Sequence, residues 1–435
     1  MTLPSAEQPN GLRPAPRAAF VFLGAAMIVL QRIAVPVGGE QGMPAGPLLI
    51  AVVLLLLFAT GRVQVDWRFL VGLLLFVAYG TCLALVWNSS ITSVFLVSTI
   101  WFPIIFLCGY EAGRQFFHGI LLSTLLACVL AVFQSALSAA TGTLFDPIGA
   151  TVPDQFLVAG FNSNYEVVWG SGWFKANGVF FLEPSMLSIF CALGILALLT
   201  HTVDMRAPMW LAMGALVIGL VSTVAISGLV ILPALIAAII RARRLLVTLC
   251  VSAIVVPLLL LLPQADAFFA RSVATEGTSN DARLLRPYTI LFPAVADSSP
   301  IIGFGPGSAR RYVQATFTDW QSDVATPTLA KVAFEYGWIG LAILATATLA
   351  LWIRSGLRWE MKLGLMIALL VPTDGLTSAV LAPAVILTLA APLSNPSQVT
   401  TGPRLSGRPR LAADTRAMTA PAEQTQSRWQ APTAT

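Results

Sequence analysis

The chain has 435 residues, 57% hydrophobic and only 10% charged, with a formal charge of +5 and a mean hydropathy of +0.82. A soluble domain carries about 25% charged residues, so this balance excludes an ordinary water-soluble enzyme and defines a polytopic membrane protein. Recurring apolar stretches of about twenty residues signal spanning helices rather than an outer-membrane barrel.

Residues 1–17 form a polar cytoplasmic segment with Arg13 and Arg17 ahead of the first apolar run. That run, 18–37, is long for a cleaved signal and reads as an uncleaved first span, with Arg32 near its end. Further spans are predicted near 47–60, 69–87, 91–109, 118–140, 177–200, 207–222, 224–240, 245–263, 332–353, 363–374 and 377–393. The fold class is therefore an all-α polytopic membrane protein of about 12 transmembrane helices. Its membrane domain covers 18–393, with outside loops at about 141–176 and 264–331, the longer one carrying short helices. The tail 394–435, rich in Pro, Thr, Gln, Ala and Arg, is expected to be disordered in the cytoplasm. No internal repeat is visible, which disfavours folds built from two similar halves.

Charge sets the orientation. With the N-terminus inside, the short inside loops and the tail hold 17 of the 25 Lys and Arg, so the positive-inside rule gives N-in and C-in. These cations serve topology, not nucleic acid. Six others (Arg271, Arg283, Arg286, Arg310, Arg311, Lys331) lie in or beside the long outside loop. They are either solvated loop charges or groups placed for an anionic substrate at the outer leaflet. The shorter outside loop carries Asp146, Asp154, Glu166 and Lys175 among seven aromatic residues. An interfacial aromatic belt and sugar stacking both account for that mixture. The five cysteines lie in or at the ends of apolar stretches without a Cys-x-x-Cys pair, and His118 and His201 are far apart. Neither a zinc site nor a disulfide framework is indicated, and no metal or cofactor is expected.

Glu183-Pro184-Ser185 falls inside the predicted span 177–200. An acidic residue costs about 2.5–3.5 kcal/mol at mid-span, and proline removes a backbone donor. The expectation is a broken helix opening a polar cavity roughly 9 Å below the outer end, six residues at about 1.5 Å each. A partly desolvated Glu183 there would be a general base with a raised pKa; a structural hydrogen bond across the bundle is the alternative. In the long loop, Asp281, Arg283 and Arg286 precede an apolar stretch and then Gly303-Phe-Gly305-Pro-Gly307 and Arg310-Arg311. A helix over 282–296 would put Arg283 and Arg286 one turn apart, suited to a pyrophosphate. The glycines either bring amides to an anion or make a tight turn. Glu335 precedes Tyr336-Gly-Trp338 and reads as a helix start or a mark of the water interface.

Four of these segments resemble the bacterial O-antigen ligase and O-antigen polymerase superfamily, which includes exopolysaccharide polymerases, over roughly residues 175–345. They are Phe181-Leu-Glu183-Pro-Ser185, Ser222-Thr-Val-Ala-Ile-Ser227-Gly228, Arg283 with Pro300-Ile-Ile-Gly303-Phe-Gly305-Pro-Gly307, and Glu335-Tyr-Gly337-Trp-Ile-Gly340. Two departures are visible. Thr326-Pro327 stands where ligases of the superfamily carry His-Asn, which favours a polymerase. Gly228 replaces an arginine that often follows the serine, which leaves the role of Ser227 open.

The resemblance implies a glycosyltransferase of the inner membrane's outer face, using polyprenyl-pyrophosphate-linked oligosaccharides as donor and acceptor without nucleotide or obligatory metal. Membrane lipid, a flippase and a chain-length regulator are the implied partners. Glu183 and Arg283 are the expected catalytic pair, base and leaving-group stabiliser, with Asp281, Asp323 and Asp374 as rival bases. Lys175, Asp281, Arg286, Gly303, Gly305, Arg310, Arg311 and Glu335 are the expected substrate-binding residues. The alternatives are a ligase delivering glycan to a lipid A core or protein, a transporter or flippase of lipid-linked sugars, and a purely structural assembly partner.

Overall fold

The apolar runs become helices, but shorter and more interrupted ones than hydropathy suggests. The computed structural model describes residues 17–36, 42–158, 166, 174–203, 205, 208–242, 286–316, 326–372, 374 and 376–390. Among these, fourteen α-helices and two minimal two-stranded antiparallel sheets follow in order. Helix α1 (Arg17–Val29) leads through β1 (Ala34–Val35) and its antiparallel partner β2 (Met43–Pro44) into α2 (Ala45–Ala59). Strand β3 (Gln64–Val65) precedes α3 (Trp67–Val86) and α4 (Ile91–Trp101), then pairs antiparallel with β4 (Phe106–Leu107). The 32-residue α5 (Tyr110–Thr141) is followed by the short α6 (Pro147–Thr151), α7 (Pro184–Leu199) and α8 (Met209–Ser222). A 3₁₀ turn (Ile226–Ile231) leads into α9 (Leu232–Ala242). The rest comprises α10 (Arg286–Ser298), α11 (Ser308–Thr316), α12 (Thr328–Arg354), α13 (Trp359–Leu370) and α14 (Leu381–Leu389).

Local chemistry explains many of the boundaries. Asp66 and Ser90 cap α3 and α4, accepting from Arg68 N at 3.0 Å and Ser93 N at 3.2 Å. Helix α5 stops where Gly142 adopts a left-handed conformation.

Among the described residues three helices, α3, α5 and α12, are long and apolar enough to cross a membrane, and six more apolar helices run 10–17 residues. The expected twelve full spans are thus not what the described helices present. The run at 91–109 ends as a 3₁₀ turn and a strand, 224–240 starts as a 3₁₀ turn, and 177–200 is helical only from Pro184. The predicted span 245–263 and the tail lie outside the described residues. Helix α3 leaves Val71, Leu74, Leu75, Leu85 and Val86 exposed, a continuous apolar face of the kind that meets lipid.

At the centre stands α7, in which every residue except Ile195 is buried, packed against α5, α8, α9 and α13. Helices α1 and α5 approach at two glycines: a Cβ on Gly24 would meet Phe116 O at 2.0 Å, and one on Gly119 would meet Val21 O at 2.0 Å. Small residues allow this backbone contact, as at membrane helix crossings.

Candidate functional site

Glu183 stands at the head of α7, not within a helix. Its backbone is extended (φ −140°, ψ 151°), and Pro184 occupies the first helical position, where the missing N–H costs nothing. The expected helix break inside a span is therefore a helix start, and 174–183 reaches it as irregular chain. Such backbone inside an apolar bundle needs polar partners, and buried side chains supply them. Gln134 on α5 donates to Phe145 O (2.7 Å) and Asn177 Oδ1 (3.1 Å) and accepts from Gly178 N (2.8 Å). Asn177 bonds Phe181 O (2.9 Å) and Val179 N (3.0 Å). From the end of α1, Arg32 donates to Val179 O at 2.9 Å, and Gln31 accepts from Leu182 N at 3.4 Å. The Glu183 side chain is half-buried and accepts from Ser185 Oγ at 2.7 Å. Its place at the N-terminal end of α7 sets it beside the helix's first amide groups. Lys175, also half-buried, lies at the start of the same segment.

The first turns of α7 join the serine-rich segment. Ser188 Oγ donates to Ala225 O at 2.9 Å and accepts from Gly228 N at 2.8 Å. A Cβ on Gly228 would stand 2.5 Å from Ser188 O. This contact is why glycine, and not an arginine, follows Ser227.

The glycine loop forms a second joint, with α12. Helix α12 runs from Thr328 through Glu335 and is broken at Gly337 (φ 64°, ψ −161°), a conformation open only to glycine. The kink exposes carbonyls that the loop binds: Phe304 N to Phe334 O and Gly305 N to Glu335 O, both 2.9 Å. The reciprocal bond runs from Trp338 N to Pro300 O at 2.9 Å. Gly303, at φ 69°, gives its N–H to Ser299 O (2.9 Å), and a Cβ there would meet Phe334 O at 2.6 Å. The amides of Gly303 and Gly305 are thus bonded within the protein. Glu335 is buried in mid-helix, so it is neither the helix start nor the interface mark expected. Its carboxylate accepts from the Gly307 amide and, at 3.4 Å, from Ala309 N at the head of α11. The anion that the glycine loop receives is the chain's own.

Beside Glu335 lies a compact charge cluster. Lys331, one turn earlier, is buried and bonds Asp374 Oδ2 at 2.6 Å and Thr377 Oγ1 at 3.2 Å, while Thr377 also bonds Asp374. Both Glu335 and Arg310 interact electrostatically with Lys331. Helices α10, α11 and the first half of α12 share a small core of their own, including Leu291, Val295, Val313 and Phe334. That core holds exposed Arg310 and Arg311 and half-buried Arg286 close to the cluster's helix.

Chemically, the described residues of these segments offer three carboxylates in different settings, half-buried Glu183, buried Glu335 and half-buried Asp374, the last paired with the buried Lys331 ammonium. Arg283, Asp281 and Asp323 lie outside the described residues, and α10 is described from Arg286 onward, so the pairing of Arg283 with Arg286 on one helix face lies there too. Sequence reasoning missed Thr377, Gln134, Asn177 and Ser188, and it named Lys331 among the outside cations without its pairing to Asp374. Only Lys331 gave a signal, its four-residue spacing from Glu335 on one helix face. Among the described residues no group of three or more His, Cys, Asp or Glu is placed to hold a metal ion. Cys128 and Cys191 meet at 3.4 Å, a contact between buried thiols that sequence separation conceals. No protein-family model matches the chain, and no curated protein matches it.

Proposed function

We propose that this chain is a multi-span inner-membrane glycosyltransferase, N-in and C-in, that polymerises polyprenyl-pyrophosphate-linked oligosaccharide repeats at the outer face. Glu183 takes the proton of the acceptor hydroxyl as its oxygen bonds to the anomeric carbon of the donor glycan. The bond from that carbon to the pyrophosphate oxygen breaks, and the lipid pyrophosphate leaves with the electron pair. Arg283 meets the charge on that leaving group, with Arg286, Arg310 and Arg311 as further cations. The observation that carries the reading is the pairing of the four resemblance segments. The Glu-Pro-Ser helix joins the serine-rich turn through Ser188 and Gly228, and the glycine loop joins the Glu335 helix through Gly305. Segments singled out for chemistry are thus fastened in two pairs, each distant in the chain. Deleting the gene in a polysaccharide-producing host and analysing lipid-linked intermediates tests it. Single repeats on the carrier support polymerisation; long chains on the carrier point to a ligase instead.

The Lys331–Asp374 pair, a buried ammonium on a half-buried carboxylate, favours one second reading, transport of lipid-linked sugars, because ionised side chains within a bundle mark translocation pathways. Repeats trapped on the cytoplasmic leaflet in the same deletion would select it.

A further inference from the structure

Helix α7 has two ends, and only one has been given a role. At the end opposite Glu183, the first turns of α1 and α5 flank a half-open cavity of about 260 Å³ lined by Arg17, Glu111, Arg114, Gln115, His118 and Val203. The sixteen residues of α7 separate it from Glu183 by about 24 Å at roughly 1.5 Å per residue. Arg114 is held in place: its Nε donates to Thr202 O at 2.9 Å, just past the end of α7, and its guanidinium lies 5.7 Å from the centre of the Tyr110 ring. Glu111 is drawn along its own helix, accepting from Gln115 Nε2 at 2.6 Å and lying 3.5 Å from Arg114 Nη1. Among the described residues the lining therefore brings two guanidinium groups beside one carboxylate, with an imidazole and a carboxamide next to them.

We infer that this cavity binds a phosphate group. Guanidinium groups match phosphate oxygens in geometry and charge, and neighbouring imidazole and amide N–H groups add donors. Two sources share that chemistry, the headgroup of an anionic phospholipid and free inorganic phosphate. The place suits either. The cavity lies at the arginine-bearing end of α1, which the charge distribution puts on the cytoplasmic side, where basic pockets between helices take anionic headgroups. The inference stands independently of glycosyl transfer.

Native mass spectrometry of the purified full-length protein with phosphatidylglycerol, phosphatidylcholine or inorganic phosphate tests it. Wild-type protein retains phosphatidylglycerol in preference to phosphatidylcholine, or retains inorganic phosphate, and Arg17→Ala and Arg114→Ala each weaken that binding about fivefold. Phosphatidylglycerol retention that inorganic phosphate does not displace identifies the lipid as source; displacement identifies phosphate. Arg17→Ala, at the exposed start of α1, serves if loss of the Thr202 bond unfolds Arg114→Ala. Equal retention of phosphatidylcholine and phosphatidylglycerol, or phosphate-group binding unchanged in Arg17→Ala and His118→Ala, overturns the assignment.

Discussion

Arg32 grips both carboxylate oxygens of Asp146, at 2.6 and 2.7 Å, and the same guanidinium reaches Val179 O at 2.9 Å. One side chain thereby ties the end of α1 to the cap of α6 and to the segment that delivers Glu183. Both partners are largely buried, at 7% and 16% side-chain exposure. Removing Arg32 leaves an uncompensated carboxylate and a carbonyl without its donor, a loss of about 3 kcal/mol. Arg32→Ala should lower the unfolding temperature of the detergent-solubilised protein by several degrees. An unchanged value would show that the pair does not secure the segment.

The same pair has a pH signature. Burial alone would raise the Asp146 carboxyl, but the Arg32 bonds and the Gly149 amide hold it below the ordinary carboxylate value of about 3.9. The folded protein therefore binds this proton less readily than the unfolded chain. Its stabilisation is complete above the ordinary value and disappears as pH falls through the lower folded value. The stability gap between wild type and Arg32→Ala should stay constant from about pH 5 to 7 and narrow below about pH 4. A gap that widens on acidification contradicts this sign.

Buried Lys331 and half-buried Asp374 should behave as a unit. Lys331→Met alone should cost about 3 kcal/mol by stranding Asp374, whereas Lys331→Met with Asp374→Leu should recover much of that loss. Chemical unfolding of the two single variants and the double variant measures the coupling. Additive losses would mean that the two charges do not depend on each other.

Gly337→Ala tests the joint between the glycine loop and α12. Its φ of 64° and ψ of −161° exclude other residues, and the added Cβ would lie 2.3 Å from Ile301 O. A loss of about 3 kcal/mol is expected, with faster proteolysis at 299–308. Gly61→Ala is the control: φ is 69° but nothing lies within 4 Å, so the cost should be about 1 kcal/mol. Equal effects at the two sites would place the penalty in backbone strain alone.

Sequence reading located helices well where the cause was local. The starts of α2, α3, α4 and α8 fall within two residues of the predicted spans, because apolar runs and capping residues act through neighbours. It misplaced what depends on distant partners. The start of α7 at Pro184 depends on Gln134, Arg32 and Asn177 supporting the chain before it, and nothing near Glu183 announces them. Glu335 read as a helix start or, beside Tyr336 and Trp338, as a mark of the water interface. In fact α12 starts at Thr328, whose hydroxyl bonds Leu369 O at 2.6 Å, and Tyr336 is buried against Phe76. The Lys331–Asp374 pair spans 43 residues and needed the fold to be seen.

In the proposed mechanism the Glu183 carboxylate takes the acceptor's proton during chain extension. Glu183→Gln keeps the shape and an oxygen acceptor for Ser185 while removing the base. The most direct measurement is glycan length on the lipid carrier and at the cell surface in a deletion host expressing Glu183→Gln at wild-type levels. Single repeats in place of long chains are the predicted result; polymer of wild-type length and amount would contradict the account.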